Sequence, residues 1–390
     1  MGLTRGFCIH ISQAYGKKDY HLVNRGFFVA SVLSLIVGAM ISIVGSLAIR
    51  DFLILMHTPG EILEQSLDYI KVILLGFVIT VLNNLFMSVL QSLGDSSTPF
   101  WALLVSSVTN IGLDCVFVLT LKWGVQGAAA ATVLSQVFSF AICAAGLKRL
   151  KFVSILDGSK SKNARLTVRM LKTGLPVGIM SMVTAVGGMI LQFFVNDLGA
   201  SAVAAYAAST KIRSVIGEFS NALGMTFMTF VGQNYGAQKY DRIKAGVRMG
   251  VLLSILIHIP LSAVEIFGGK RIASLMVTDP PVLELCRQYL LIVGIFVFFL
   301  GFLMVFRNCI QGMGNTWIPM LSGGLEVFSR LIFGYWLGRH SFMGIAAAEA
   351  SAWISVSIML GSSFFILFRK VLRTQTPENT TDTKNIRTDS

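Results

Sequence analysis

The sequence predicts an all-α membrane protein of two parallel, pseudo-symmetric six-helix lobes, with the first helix and half of the second absent. Three observations carry that prediction. Apolar residues make up 54% of the 390 positions and charged residues 13%, where soluble domains carry about 25% charged residues. Ten apolar runs of membrane-spanning length recur along the chain. The chain also matches itself at a constant offset of 220 positions.

The composition comes first. A globular fold of this size has no core large enough to hide so much apolar surface, so lipid covers it. A bilayer core of about 30 Å takes about 20 apolar residues per helix. Barrel strands alternate inward and outward over about 10 residues, and the runs here are longer and uniformly apolar. The net charge of +13 sits between the apolar runs with no nucleic-acid motif beside it, so no nucleic-acid partner is expected. Cys8, Cys115, Cys143, Cys286 and Cys309 form neither a metal-ligand spacing nor a disulfide framework.

In chain order the expected spans are 26–49, 69–91, 99–121, 126–147, 173–195, 208–231, 247–268, 287–311, 316–338 and 345–368. The segment 1–12 is apolar but too short to cross. These spans divide into an incomplete N-terminal lobe at 1–150, a linker at 151–172, a C-terminal lobe at 173–370 and a polar, disordered tail at 371–390. The segments 13–25, 148–172, 232–248 and 369–390 hold twenty Lys and Arg between them, against seven in the opposite loops. The richer side is cytoplasmic, placing a multi-pass protein in the inner (plasma) membrane.

The repeat is ungapped. Gln13, Tyr15, Gly16, Tyr20 and Gly26 meet Gln233, Tyr235, Gly236, Tyr240 and Gly246. Gln91, Gly94 and Pro99 meet Gln311, Gly314 and Pro319, while Glu64 and Tyr69 meet Glu284 and Tyr289. Met1 aligns with Asn221, so about 55 residues near 165–220 have no N-terminal counterpart. The expectation is a start placed downstream of the true one, or a natural short form. Restored, each repeat has six spans and so keeps its orientation, which relates the two by an axis along the membrane normal.

Paired motifs carry a resemblance. SQAYGKKDY answers GQNYGAQKYDRI, and QSLGDSSTP answers QGMGNTWIP. NIGLDCVF precedes WGVQGAAAATVLSQ, as GLEVFSR precedes GIAAAEASAW. In this order the chain resembles the multidrug and toxic compound extrusion (MATE) family along nearly its full length. The resemblance implies twelve helices in two lobes and export of organic cations or amphipathic compounds against Na⁺ or H⁺. The expected partners are small molecules and the bilayer, with no cofactor beyond the coupling ion and a monomeric state.

Carboxylates inside apolar runs are functional candidates because hydrocarbon penalises charge. Asn110 and Asp114 lie one turn apart on one helix face and present oxygen ligands for Na⁺ or a seat for a proton. The resemblance matches them to the family's N-lobe cation site, and Thr132 to a polar position of that site. An Asp that this family branch carries on its first helix lies outside the sequence. Glu326 and Arg330, four apart, form a helical ion pair. Glu218 is an interior acid with no basic residue four positions away on its helix, and with Glu326, Arg330 and Gln192 it is a candidate for contacting substrate or carrying a proton. The run LPVGIMSMVTAVGGMILQ has no acid where another family branch carries a Glu, and Gln192 is its only sizeable polar residue. The plainer reading of each residue is a polar tie between helices.

Two other functions compete with cation-coupled export. One is a lipid-linked oligosaccharide flippase of the same superfamily, which needs a basic cavity. The other is a truncated remnant that folds but does not couple. An enzyme is not expected, since no GxxxxGK[ST], nucleophile elbow or metal motif occurs.

Overall fold

The computed structural model describes residues 2–55, 59–154 and 163–373. Helix follows helix: α1 (Gly2–Gly16), α2 (Tyr20–Leu55), α3 (Gly60–Leu75), α4 (Phe77–Ser92), α5 (Ser97–Asp114), α6 (Gly124–Arg149), α7 (Ala164–Asn196) and α8 (Ala200–Gly236). Then come α9 (Tyr240–Ala263), the short α10 (Gly269–Ala273), α11 (Pro280–Gly312), α12 (Trp317–Phe333) and α13 (Phe342–Arg373). π-helical turns at Cys115–Thr120, Val264–Gly268 and Gly334–Gly338 extend α5, α9 and α12. Among the described residues there is no strand, as expected where only helices can satisfy their backbone in lipid.

Seven of these helices are long and apolar enough to cross a membrane unaided. An eighth candidate is the pair α3–α4, bent by 48° where the sequence predicts one straight span at 69–91. The bend falls at Gly76, where an added Cβ would lie 2.4 Å from Val133 Cγ2 on α6. Glycine there lets the elbow press against α6, and any larger residue would force it away. Helices α8 and α12, expected as spans 208–231 and 316–338, fall short of the apolar criterion. They carry Lys211, Arg213, Glu218, Glu326 and Arg330.

Several boundaries also differ from expectation. Helix α7 begins at Ala164, within the predicted linker, so Pro176 is interior to it rather than near its start. Pro260 is interior to α9, and the π turn at Val264–Gly268 follows within a turn, as a missing N–H would favour. Helix α13 runs to Arg373, past the predicted start of the tail. The rest of the predicted tail, and positions 155–162 of the linker, lie outside the described residues.

The chain forms two compact units. The first comprises Met1–Ala185, Met225–Lys239 and Gln311–Leu321; the second comprises Val186–Gly224, Tyr240–Ile310 and Ser322–Ser390. The core of the first unit is built from Phe7, Phe27, Leu85, Val89, Leu90 and Met170, all buried.

The repeat is visible within the first unit as reciprocal geometry. Helices α1 and α8 end on αL residues at Lys18 (φ 60°) and Gln238 (φ 58°). The turns after α4 and α11 pivot on Gly94 (φ 97°) and Gly314 (φ 91°), where a side chain would strain the backbone. Asp95 Oδ1 accepts the Thr98 amide at 3.0 Å to start α5, and Asn315 Oδ1 accepts the Ile318 amide at 3.3 Å to start α12, each meeting an orphan donor of the first turn. The ends of α1 and α8 touch: a Cβ on Gly16 would lie 1.9 Å from the Gln233 carbonyl oxygen, and one on Gly236 2.0 Å from that of Gln13. Both copies of this loop therefore lie on one side of the protein.

Candidate functional site

Two polar sites sit inside apolar helices, one in each unit. In the first, Asn110 lies in the last turns of α5 and Asp114 is its final residue, immediately before the π turn at Cys115–Thr120. Such turns change the angular spacing of side chains and recur at functional sites. Asn110 Nδ2 and Asp114 Oδ1 are both buried and have no hydrogen-bond partner. Buried polar atoms are nearly always paired, so two orphans four residues apart mark a seat for something else. Thr132 donates its hydroxyl to Ala128 O on its own helix at 3.0 Å. Ser106 Oγ donates to Ser135 O at 2.9 Å and ties α5 to α6 beside the seat.

In the second unit the predicted Glu326–Arg330 pair is present and is the middle of something larger. Arg330 Nη2 lies 3.0 Å from Glu326 Oε1. Arg307 Nη2, from α11, lies 3.0 Å from Glu326 Oε2. On its other side Arg330 reaches Glu349 Oε1 of α13 at 3.6 Å, and Arg213 Nη1 of α8 reaches the same oxygen at 2.9 Å. The result is an alternating line Arg213–Glu349–Arg330–Glu326–Arg307 across four helices. Tyr289 Oη donates a short hydrogen bond to Glu349 Oε2, and Arg213 stands 5.8 Å from the centre of the Trp353 ring.

The line is buried: Glu326, Arg330, Arg307 and Glu349 are each at most 5% exposed. Pairing is what makes such burial tolerable. Glycine makes room for it, since a Cβ on Gly187 of α7 would lie 2.6 Å from Arg330 Nη1. The Nε atoms of Arg213, Arg307 and Arg330 remain buried without acceptors.

The remaining candidates do not join this line. Glu218 is exposed and accepts a hydrogen bond from Asn221 Nδ2 at 3.3 Å. Hydropathy places a residue along a span but not around its axis, and Glu218 points away from the buried face. Gln192 bonds Asn196 Oδ1 one turn later, at 2.8 Å.

Arg213, Arg307 and Glu349 have no oppositely charged residue three or four positions away, so local spacing does not single them out. One signal was available for the site as a whole. At the 220-residue offset Ser106 and Asn110 align with Glu326 and Arg330. Helices α5 and α12 thus place their polar pairs at the same register of the repeat, neutral in one copy and ionic in the other.

Comparison with known proteins agrees with this architecture. The family described as MatE matches residues 1–116 and 176–336. The chain is 27% identical over 368 residues to the probable multidrug resistance protein YoeA of Bacillus subtilis, covering 89% of this chain and 80% of that protein. It is 23% identical over 374 residues to the probable multidrug resistance protein NorM of Thermotoga maritima, covering 94% and 79%. Its fold is similar to a crystal structure of MATE in the bent conformation, with a TM-score of 0.87 at 22% identity over 96% of this chain and 84% of that one.

Proposed function

The chain belongs to the MatE family, and from that premise we propose that it is a secondary antiporter that exports organic cations or other amphipathic compounds in exchange for Na⁺ or H⁺. It is a multi-pass membrane protein, and the relatives from Bacillus subtilis and Thermotoga maritima are named as probable multidrug resistance proteins. Its repeat-related lobes, 1–150 and 173–370, would give the cargo access to each side of the membrane in turn.

One observation carries the coupling: Asp114 Oδ1 is buried without a hydrogen-bond partner. A carboxylate oxygen with no donor is ready to receive a cation. If the seat binds the ion in one conformation better than in the other, ion and cargo movements are linked. Thr132 completes the proposed N-lobe seat. The sequence has no GxxxxGK[ST], so ATP is not the direct source of energy.

The polarity of the C-terminal half supports cationic cargo. The guanidiniums of Arg307 and Arg330, which are buried, and of Arg213, which is partly exposed, all face carboxylates. A flippase would need them free to hold a pyrophosphate.

The test is ethidium efflux from proteoliposomes under an imposed Na⁺ or H⁺ gradient. Wild type is expected to concentrate ethidium against its gradient, and Asp114→Asn to lose about tenfold in rate. Efflux indifferent to both gradients would overturn the reading.

A further inference from the structure

A line of polar residues runs along α9 that the described sites do not use. Ser254, His258, Ser262 and Glu265 are all buried. Their spacing of four, four and three puts them on one helical face. Helix α11 packs on that face with glycines where the polar groups are bulkiest. A Cβ on Gly301 would lie 2.2 Å from Ser254 Oγ and 2.5 Å from His258 Cε1. One on Gly294 would lie 3.0 Å from Glu265 Cβ and 3.4 Å from its Oε2. Two glycines seven apart therefore meet an imidazole and a carboxyl seven apart.

The members of this line differ in what they bond. Ser262 Oγ donates to Gly294 O at 2.7 Å. His258 uses both ring nitrogens, Nδ1 against Ser254 O at 2.7 Å and Nε2 against Ser220 Oγ at 2.8 Å. Glu265 is 1% exposed, yet neither of its carboxyl oxygens has a hydrogen-bond partner. The charged groups near enough to act on it are Arg213 of α8 and Glu349 of α13, while α11 presents Gly294. Arg213 Nε is itself without an acceptor. Glu265 also stands in the π turn Val264–Gly268, where one extra residue shifts its direction relative to an α-helix.

We propose that Glu265 is a coupling-ion site of the C-terminal half, whose two unused oxygens take a monovalent cation, H⁺ or Na⁺. The site rests on the antiport reading above and assigns it a second carboxylate, separate from Asp114. Charge balance explains how it would act. Arg213, Arg307 and Arg330 face only Glu326 and Glu349, so Glu265 supplies the third negative charge. With a cation on Glu265 the cluster keeps one surplus positive charge and repels cationic cargo. With the cation gone the cluster is neutral and cargo is admitted. Ion and cargo then compete without sharing an atom, which is what exchange requires.

The experiment uses the full chain purified in detergent, with ethidium binding followed by fluorescence. One arm titrates Na⁺ at constant pH and the other titrates pH without Na⁺. Wild type is expected to lose about tenfold in ethidium affinity in one arm, which identifies the ion. In an Asp114→Asn background, which removes the first seat, monodisperse Glu265→Gln, which mimics the occupied second site, is expected to bind weakly and without dependence on either ion, and Glu265→Asp to keep the dependence. A second measurement needs no variant: dicyclohexylcarbodiimide is expected to modify Glu265 in the wild type, with Na⁺ or ethidium altering the extent of labelling mapped by mass spectrometry.

The proposal is overturned if wild-type binding ignores both ions, if Glu265→Gln keeps the dependence in the Asp114→Asn background, or if Glu265 is never labelled. Gradient-driven efflux that is equal in wild type and Glu265→Gln would remove the site and leave the antiport reading standing. Ion-dependent binding without gradient-driven efflux would do the reverse.

Discussion

Gln13 and Gln233 make the same hydrogen bond in opposite directions. Gln13 Nε2 donates to the Gly312 carbonyl and Gln233 Nε2 to the Ser92 carbonyl, both over 2.9 Å. Donors and acceptors are each 220 positions apart, so one repeat closes the helix end of the other. Those carbonyls lie at the C-termini of α11 and α4, where the helix itself offers no donor.

Equal geometry predicts equal consequences. Gln13→Ala and Gln233→Ala should each destabilise the solubilised protein by about 1 kcal/mol, the net worth of one such bond. Thermal denaturation reads the difference. A loss at one position with none at the other would show that the two bonds are not equivalent.

The glycines beside them predict a harsher outcome. Gly16→Ala and Gly236→Ala would each drive a methyl into a backbone carbonyl, at 1.9 and 2.0 Å. Overpacking of this kind costs about 3 kcal/mol or more when backbone has to move. Both variants should lose the monodisperse peak on size exclusion. Gly26→Ala, which meets only the Ile11 side chain, with Cγ1 at 3.1 Å, should keep it.

The charge line predicts an order of effects. Glu326→Gln leaves Arg307 with no carboxylate and Arg330 with only Glu349 and should cost about 3–5 kcal/mol, as unpairing buried charge does. Arg307→Met should cost less, because Glu326 keeps Arg330. Reversal of that order in melting temperature would mean that Arg307, not Arg330, is the main partner of Glu326.

Gly187 tests whether Arg330 is pinned. Held by Glu326 and Glu349, its guanidinium has little freedom to avoid a Cβ at 2.6 Å. Gly187→Ala should therefore cost about 1–3 kcal/mol. The cost should shrink in an Arg330→Met background, giving a measurable coupling between the two positions. An additive pair would show that the arginine moves freely.

The charged cluster was only partly legible in the sequence. Glu326 and Arg330 were found because they are four apart on one helix, and local spacing is enough to pair them. Their partners Arg307 and Glu349 come from α11 and α13, separated in sequence by tens of residues. Nothing in the local spacing marks Glu265, whose facing residue Gly294 comes from another helix. Glu218 shows the converse, being an acid in mid-helix that lies outside the buried face.

The sequence by itself determined the helices, the membrane, the duplication and the register in which both copies place their polar pairs. Those depend on hydropathy and spacing along one dimension, which the chain carries regardless of its folding. Tertiary structure alone decided which way each polar side chain faces and which charge answers it. That choice is made where helices meet, by close approaches at Gly76, Gly187, Gly294 and Gly301. Burial there leaves a charge either paired across helices or, like Glu265, waiting for an ion.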